Sequence, residues 1–274
     1  MKRFSGWLLA SPGTLFLVAI LVVPVLLTLL ATLTGPDGPL APYLAFFSSG
    51  YRRRVVWRTL QVAGITTLIS LVIGFLAAYA VSRCPPWLKS ALVVAAVFPL
   101  LTGVVVRSFA WLIILGKNGI LNDTLLRLGL LERPLSLLYT QGSVIAAMVY
   151  LFVPLMILTM VGVFEQIPDD VVQASASLGA TPLSTFFGVT LPLAVPGLIV
   201  GAVLVFTGSF TAYATPQLLG GEQQMMMGTL MYQQAMVRFD WTAASTIAAI
   251  MLVITLLAVL LMTRLARRLN PAAV

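Results

Sequence analysis

Histidine is absent from the 274-residue chain, and cysteine occurs once, at Cys84. The first absence excludes His-dependent zinc motifs, His-based catalytic triads and histidine proton relays. The second excludes an internal disulfide framework and any CxxC site. Charge is scarce as well: Asp, Glu, Lys and Arg occupy 9% of positions, against roughly 25% in a soluble domain. No GxxxxGK[ST] phosphate cradle occurs, Lys117 being followed by Asn118 and lacking an upstream Gly at the required spacing, so the chain is not expected to hydrolyse ATP. No GxSxG-like elbow offers a serine nucleophile either, and an intramembrane enzyme finds no catalytic constellation. What fills the chain instead is apolar, with 60% hydrophobic residues and a mean hydropathy of +1.05. These values define an integral membrane protein. The basic excess, 16 Lys and Arg against 8 Asp and Glu, sits mostly beside apolar runs, where it anchors a chain in the membrane and gives no reason to expect nucleic acid.

A spanning helix needs about 20 apolar residues. Six runs meet that length, at about 14–33, 59–82, 91–115, 143–164, 193–213 and 241–263, and predict an all-α polytopic bundle. The first run follows a short basic start without a small-residue cleavage site, which favours a retained helix over a signal peptide; Pro24 is expected to kink it. Basic residues Lys2, Arg3, Arg264, Arg267 and Arg268 lie at the two ends. Together with Arg83 and Lys89 they favour both termini in the cytoplasm, as segments 1–13 and 265–274, while Arg52, Arg53, Arg54 and Arg58, with Lys117, Arg127, Arg133 and Arg238, count against it.

On that topology segment 165–192 is cytoplasmic, and it is the least apolar long segment in the second half of the chain. Pro168 followed by Asp169 and Asp170 reads as a helix entry, with carboxylates at the positive end of the dipole. Nothing breaks a helix before Leu178, and Gly179 supplies a left-handed stop. A second short helix is expected from Thr181, capped by its hydroxyl with Pro182 in the first position. A plain connecting loop is the simpler reading of such a segment.

The residues themselves resemble a known pattern. Gln173, Ala174 and Ser175, then Gly179, then Val189, Leu191 and Pro192 are similar to the EAA loop of binding-protein-dependent ABC importer permeases. Gln173 stands where the family has Glu, and Ser175 where it has a second Ala. Two further stretches, Arg107-Ser108-Phe109-Ala110-Trp111 continuing to Gly116-Lys117-Asn118-Gly119-Ile120-Leu121-Asn122, and Thr215-Pro216-Gln217-Leu218-Leu219-Gly220-Gly221 continuing to Met227-Gly228 and Phe239-Asp240-Trp241, resemble the spermidine/putrescine-type subfamily.

The resemblance implies six spans joined by a coupling elbow that docks on a separate ATPase through Asp170, Gln173, Ala174, Ser175, Gly179, Ala180, Pro182, Leu191 and Pro192. It also implies a second similar permease subunit, two ATPase subunits that hold the ATP and Mg, an extracytoplasmic binding protein, residence in a bacterial inner membrane, and alternating access driven by ATPase closure. No cofactor or metal is expected on this chain. The implied cargo is a polyamine; opines, amino-acid-like compounds, aminophosphonates and sugars are alternatives, and a self-sufficient secondary transporter or channel is a further one.

Ionisable residues inside spans are functional candidates, and Arg107 is the one deeply placed. All 8 acidic residues fall outside the apolar runs. A polycation would therefore depend on aromatic faces here or on carboxylates of a partner. Arg107, Phe109, Trp111, Tyr150, Ser209, Phe210 and Tyr213 are the expected path residues, with carbonyl pairing as the alternative role for Arg107 and back-bonding or helix contacts for Ser209. Met225, Met226 and Met227 are expected on a re-entrant or gate helix packed against a partner.

Overall fold

The computed structural model describes residues 2–33 and 38–269. Asp37 and segment 270–274 of the expected C-terminal tail lie outside the described residues.

Helices make up 82% of the chain. They are α1 (Lys2–Leu33), α2 (Ala41–Ser48), α3 (Gly50–Ser82), α4 (Pro86–Leu101), α5 (Val104–Leu115), α6 (Ile120–Arg127), α7 (Gln141–Phe164), α8 (Asp169–Ser177), α9 (Pro182–Thr185), α10 (Leu191–Thr211), α11 (Ala214–Gly220), α12 (Met227–Tyr232) and α13 (Trp241–Leu269). Among the described residues, six segments are long and apolar enough to cross a membrane: Pro12–Leu33, Gly50–Ser82, Val104–Arg127, Gln141–Phe164, Pro182–Thr211 and Trp241–Leu265. Helix α3 has 33 residues, about 50 Å at a rise of about 1.5 Å per residue. That exceeds a hydrocarbon core of about 30 Å, which lets its arginine-rich first turns stand outside it.

The chain divides into two compact units, Met1–Arg54 with Leu230–Val253 and Val55–Thr229 with Ile254–Val274. In the first, Thr32 Oγ1 and Tyr43 OH share a 2.7 Å hydrogen bond between α1 and α2, and the Arg52 guanidinium lies 5.6 Å over the Phe46 ring. Asp240 caps α13 by accepting from the Ala243 amide at 2.9 Å.

The core of the second unit lies where α3, α7 and α10 meet. Gly74 of α3 and Gly201 of α10 both face Met156 of α7, and a Cβ at either glycine would come within 2.6 Å of its side chain. Gly208 faces Phe152 and Gly197 faces Val163 in the same way, so α10 lies against α7 at van der Waals distance. Without a hydrophobic drive between helices in lipid, such close approach is what packing relies on. Gly197 and Gly201, four residues apart on α10, therefore form one contact face. Phe75, Tyr79, Phe164 and Phe186 close one end of this core with ring centroids 5.0 to 5.9 Å apart.

The run read as the third span is two helices, not one. Thr102 and Gly103 are extended, with ψ of 130° and 140°, and separate α4 from α5. Pro99 has no amide to donate, and the β-branched run Val104-Val105-Val106 begins directly after the glycine, so helix is weakest at this point. Each part has its own neighbours: α4 packs along α7, whereas α5 packs chiefly on α11.

Beyond α5 the chain turns under tight sterics. A Cβ on Gly119 would stand 2.4 Å from the Ile113 carbonyl oxygen and 2.7 Å from that of Ile114, and backbone atoms have little room to yield. Buried Asn122 fixes the following loop, donating to the Gly116 and Leu135 carbonyls at 3.0 Å and accepting from the Leu135 amide at 2.9 Å. The three methionines 225–227 are buried by their own chain, contrary to a gate facing a partner. Thr59 Oγ1 accepts from the Met227 amide at 2.9 Å, and Arg58 donates to the Met225 carbonyl at 3.4 Å.

Candidate functional site

Helix α8 begins after Pro168 with Asp169 and Asp170 in its first turn, where carboxylates face the unpaired amides of the N-terminus. It ends in a complete Schellman motif. Gly179 adopts φ +84°, its amide donates to the Ala176 carbonyl at 2.9 Å, and the Ala180 amide reaches back to the Ser175 carbonyl at 3.2 Å. Thr181 then caps α9 by accepting from the Ser184 amide at 3.3 Å, with Pro182 in the first turn. A 3.0 Å hydrogen bond between Ser175 Oγ and Thr185 Oγ1 ties the two limbs together. The hydroxyl at position 175, one of the departures from the EAA pattern, thus closes the elbow.

None of the residues of α8 is buried. Val171, Leu178 and Leu183 stand 41%, 89% and 69% exposed, an apolar face on a short segment rich in polar residues. Asp170, Gln173, Ala174, Gly179 and Pro182 are exposed with them, and Ser175 and Ala180 are half-buried.

Leu191 and Pro192, the last residues of the segment read as cytoplasmic, lie in the first turn of α10. Pro182 to Thr211 is one helical segment, in which a π turn, Phe186–Thr190, joins α9 to α10. The Leu191 amide bonds to the Phe186 carbonyl, five residues back. Pro192 has no amide and would clash with a carbonyl four residues earlier in a regular helix; the wider turn relieves that conflict. The membrane-length helix therefore begins within segment 165–192, which the sequence places in the cytoplasm.

The residues expected along a path separate into two groups. Trp111 of α5 and Tyr150 of α7 meet edge to face at 5.7 Å, and Phe109 is exposed on α5. Ser209 and Phe210 are fully buried, Phe210 stacked on Phe206, and they line no open surface in this conformation. Tyr213 is half-buried at the start of α11. Arg107 is buried and donates to the Pro99 carbonyl at 2.7 Å and the Thr102 carbonyl at 3.4 Å, across the break between α4 and α5. Carbonyls orphaned at the end of α4 are what this guanidinium satisfies.

One pairing had no signal in the sequence. Lys89 in the first turn of α4 forms an ion pair with Glu165, the cap of α7, and it is the sole ion pair among the described residues. Thr185 as the partner of Ser175 was equally hidden, since either hydroxyl alone reads as a surface residue.

Six membrane-length segments among the described residues, with an exposed helical elbow entering the fifth, define a polytopic helical membrane protein. Its fold is shared with the crystal structure of a bacterial alginate ABC transporter in complex with alginate pentasaccharide-bound periplasmic protein, at a TM-score of 0.82 and 18% identity over 100% of this chain and 97% of that one. An inward-facing structure of the MetNI methionine ABC transporter matches at a TM-score of 0.62 and 19% identity, over 84% of this chain and 99% of that one. The chain belongs to the family of binding-protein-dependent transport system inner membrane components, whose model matches residues 3–271. It is 30% identical to the spermidine/putrescine transport system permease protein PotB of Haemophilus influenzae over 93% of this chain and 92% of that protein. It is also 30% identical to the inner membrane ABC transporter permease protein YdcU of Escherichia coli, over 81% and 75% of the two chains. The protein is a multi-pass inner membrane permease subunit.

Proposed function

We propose that this subunit forms half of the translocation path of an ATP-driven importer that takes a polyamine, spermidine or putrescine, from an extracytoplasmic binding protein. A second, similar permease subunit completes the path, and two copies of an ATPase bind ATP and Mg and close on the elbow formed by α8 and α9. Both termini lie in the cytoplasm on this reading, which puts the elbow on the ATPase side.

The observation that carries the proposal is the elbow: its turn is closed internally by the Schellman bonds and the Ser175–Thr185 contact, while its apolar face stays exposed. A rigid element presenting an unsatisfied surface suits the transmission of a partner's movement. Gln173 is exposed and neutral, so the contact at that position is a hydrogen bond or packing and not a salt bridge. Polyamine cargo is supported by the PotB relatives. Phe109, Trp111 and Tyr150 supply aromatic faces to a cation, and carboxylates come from the partner subunit, since the membrane-length segments hold one acidic residue, Asp123, near the end of the third. Arg107 takes no part in cargo recognition.

Calorimetric titration of the cognate binding protein against a metabolite panel, followed by uptake into proteoliposomes holding the full complex, tests the cargo. Spermidine and putrescine are expected to bind and to be accumulated with ATP. Exclusive binding of anions, or of an opine or sugar, would overturn the polyamine reading.

A further inference from the structure

Helix α5 starts without a side-chain cap. Gly103 offers none, and the amides of Val104, Val105 and Val106 have no acceptor among the described residues; the first bond of the helix runs from the Arg107 amide to the Gly103 carbonyl at 3.1 Å. Across the break the carbonyls of Pro99 and Thr102 are satisfied, because Arg107 donates to both. What stays open at this point is a set of donors.

Depth decides what can cover them. Lys89, in the first turn of α4, is paired with Glu165 at one end of α7, and Trp111 of α5 meets Tyr150 farther along the same helix. Thr102 and Gly103 fall between these two contacts, beside the interior of a 24-residue apolar helix, and so lie within the hydrocarbon layer. Gly103 is nonetheless exposed, and Val105 and Val106 are 57% and 66% exposed. Lipid tails offer no acceptor, and irregular backbone at membrane depth occurs only where protein buries it or water lines it. The neighbouring side chains separate these two. Phe98 and Leu101 before the break and the three valines after it are all exposed and apolar, a surface that favours burial against another helix over contact with water.

We propose that the break between α4 and α5 is a contact site for the second permease subunit, which seats a side-chain oxygen acceptor on the α5 amides. On the two-subunit path proposed above, on which this assignment rests, neither the ATPase nor the extracytoplasmic binding protein reaches membrane depth, so the membrane partner is what remains. The positive end of the α5 dipole favours an acceptor with negative charge. Phe109, one turn farther along α5, is then left facing the path between the two subunits.

Two experiments on the assembled complex test the contact. A benzophenone side chain at position 105, activated by light in membranes holding all subunits, is expected to join this chain to the second permease subunit. Adducts to lipid alone would overturn the proposal. So would modification of Val105→Cys, in a Cys84→Ser background, by a water-soluble thiol reagent, since it places water at the break. The second experiment removes one donor. Val104→Pro deletes the first amide of α5, at a position where proline is tolerated because that amide has no partner within the helix. Retention of the second permease subunit on dilution in detergent should fall about tenfold, the effect of one hydrogen bond to a charged acceptor. Melting of the isolated chain should stay unchanged, and Val104→Ala, which keeps the amide, should hold its partner. A Val104→Pro chain that holds its partner as the unmodified chain does would overturn the role of the amides. Co-elution of the second permease subunit with the unmodified chain checks the two-subunit reading by itself: without co-elution that reading fails, and with it a probe at position 105 that captures no permease overturns the contact.

Discussion

Gly179→Val is expected to leave the permease in the membrane and to uncouple it: ATP hydrolysis by the assembled complex continues, while transport per ATP falls by an order of magnitude or more. The turn requires φ +84°, a conformation in which a side chain meets the following carbonyl. Open space surrounds this glycine, so the penalty is conformational and not steric. For a β-branched residue it amounts to about 2 kcal/mol, a factor of about 30 in the population of the turn. Losing that turn releases the Gly179 and Ala180 amide bonds and misdirects Thr181, so α8 no longer holds its angle to α9. Gly179→Asn, which tolerates the left-handed region, should retain most of the coupling. Measured as uptake and phosphate release in the same proteoliposomes, normal transport per ATP in Gly179→Val would reduce the elbow to a linker.

Arg107→Met should produce the second large effect, this time on the bundle itself. The guanidinium is the donor that the Pro99 and Thr102 carbonyls receive from α5. Inside a membrane, a carbonyl left without a donor costs far more than it does in water, and a buried charge-assisted bond is worth about 1.5–3 kcal/mol. Loss of about 2 kcal/mol at the junction of α4 and α5 should lower the melting temperature of the purified chain by several degrees. Arg107→Lys, which keeps a cation and three donors, should recover part of the loss. If Arg107 instead held cargo, Arg107→Met would change the transport KM and leave melting untouched.

Much of the fold was legible because apolar length is a one-dimensional property. Runs such as 143–164 and 241–263 need only to be long and uncharged, and they correspond to α7 and α13. The elbow was legible for a different reason: Pro168, Gly179, Thr181 and Pro182 act within a few residues of themselves, through dihedral limits and caps. The break at Thr102-Gly103 was not read, because a short extended link inside an apolar run leaves hydropathy unchanged and is fixed by Arg107 from the next helix. Pro192 misled in the opposite direction. It closes the segment read as cytoplasmic, and the π turn absorbs it within a continuous helix. Ser209 and Phe210 were read as path residues from their polarity and aromaticity, which carry no information on which face of α10 is packed. Lys89 with Glu165, and Ser175 with Thr185, are tertiary pairs that no local pattern records.

On the proposed function, the exposed face of α8 is where the motor touches this subunit. Cys84 is the sole cysteine, so Cys84→Ser provides a clean background for Leu178→Cys, at the most exposed apolar position of the elbow. A short bifunctional thiol-to-amine reagent applied to the assembled complex should join position 178 to the ATPase in high yield, with the yield changing between the nucleotide-free and ATP-bound states. A control cysteine at Leu128, also exposed but beyond α6, should give none. Cross-linking from position 128 and none from position 178 would contradict the account.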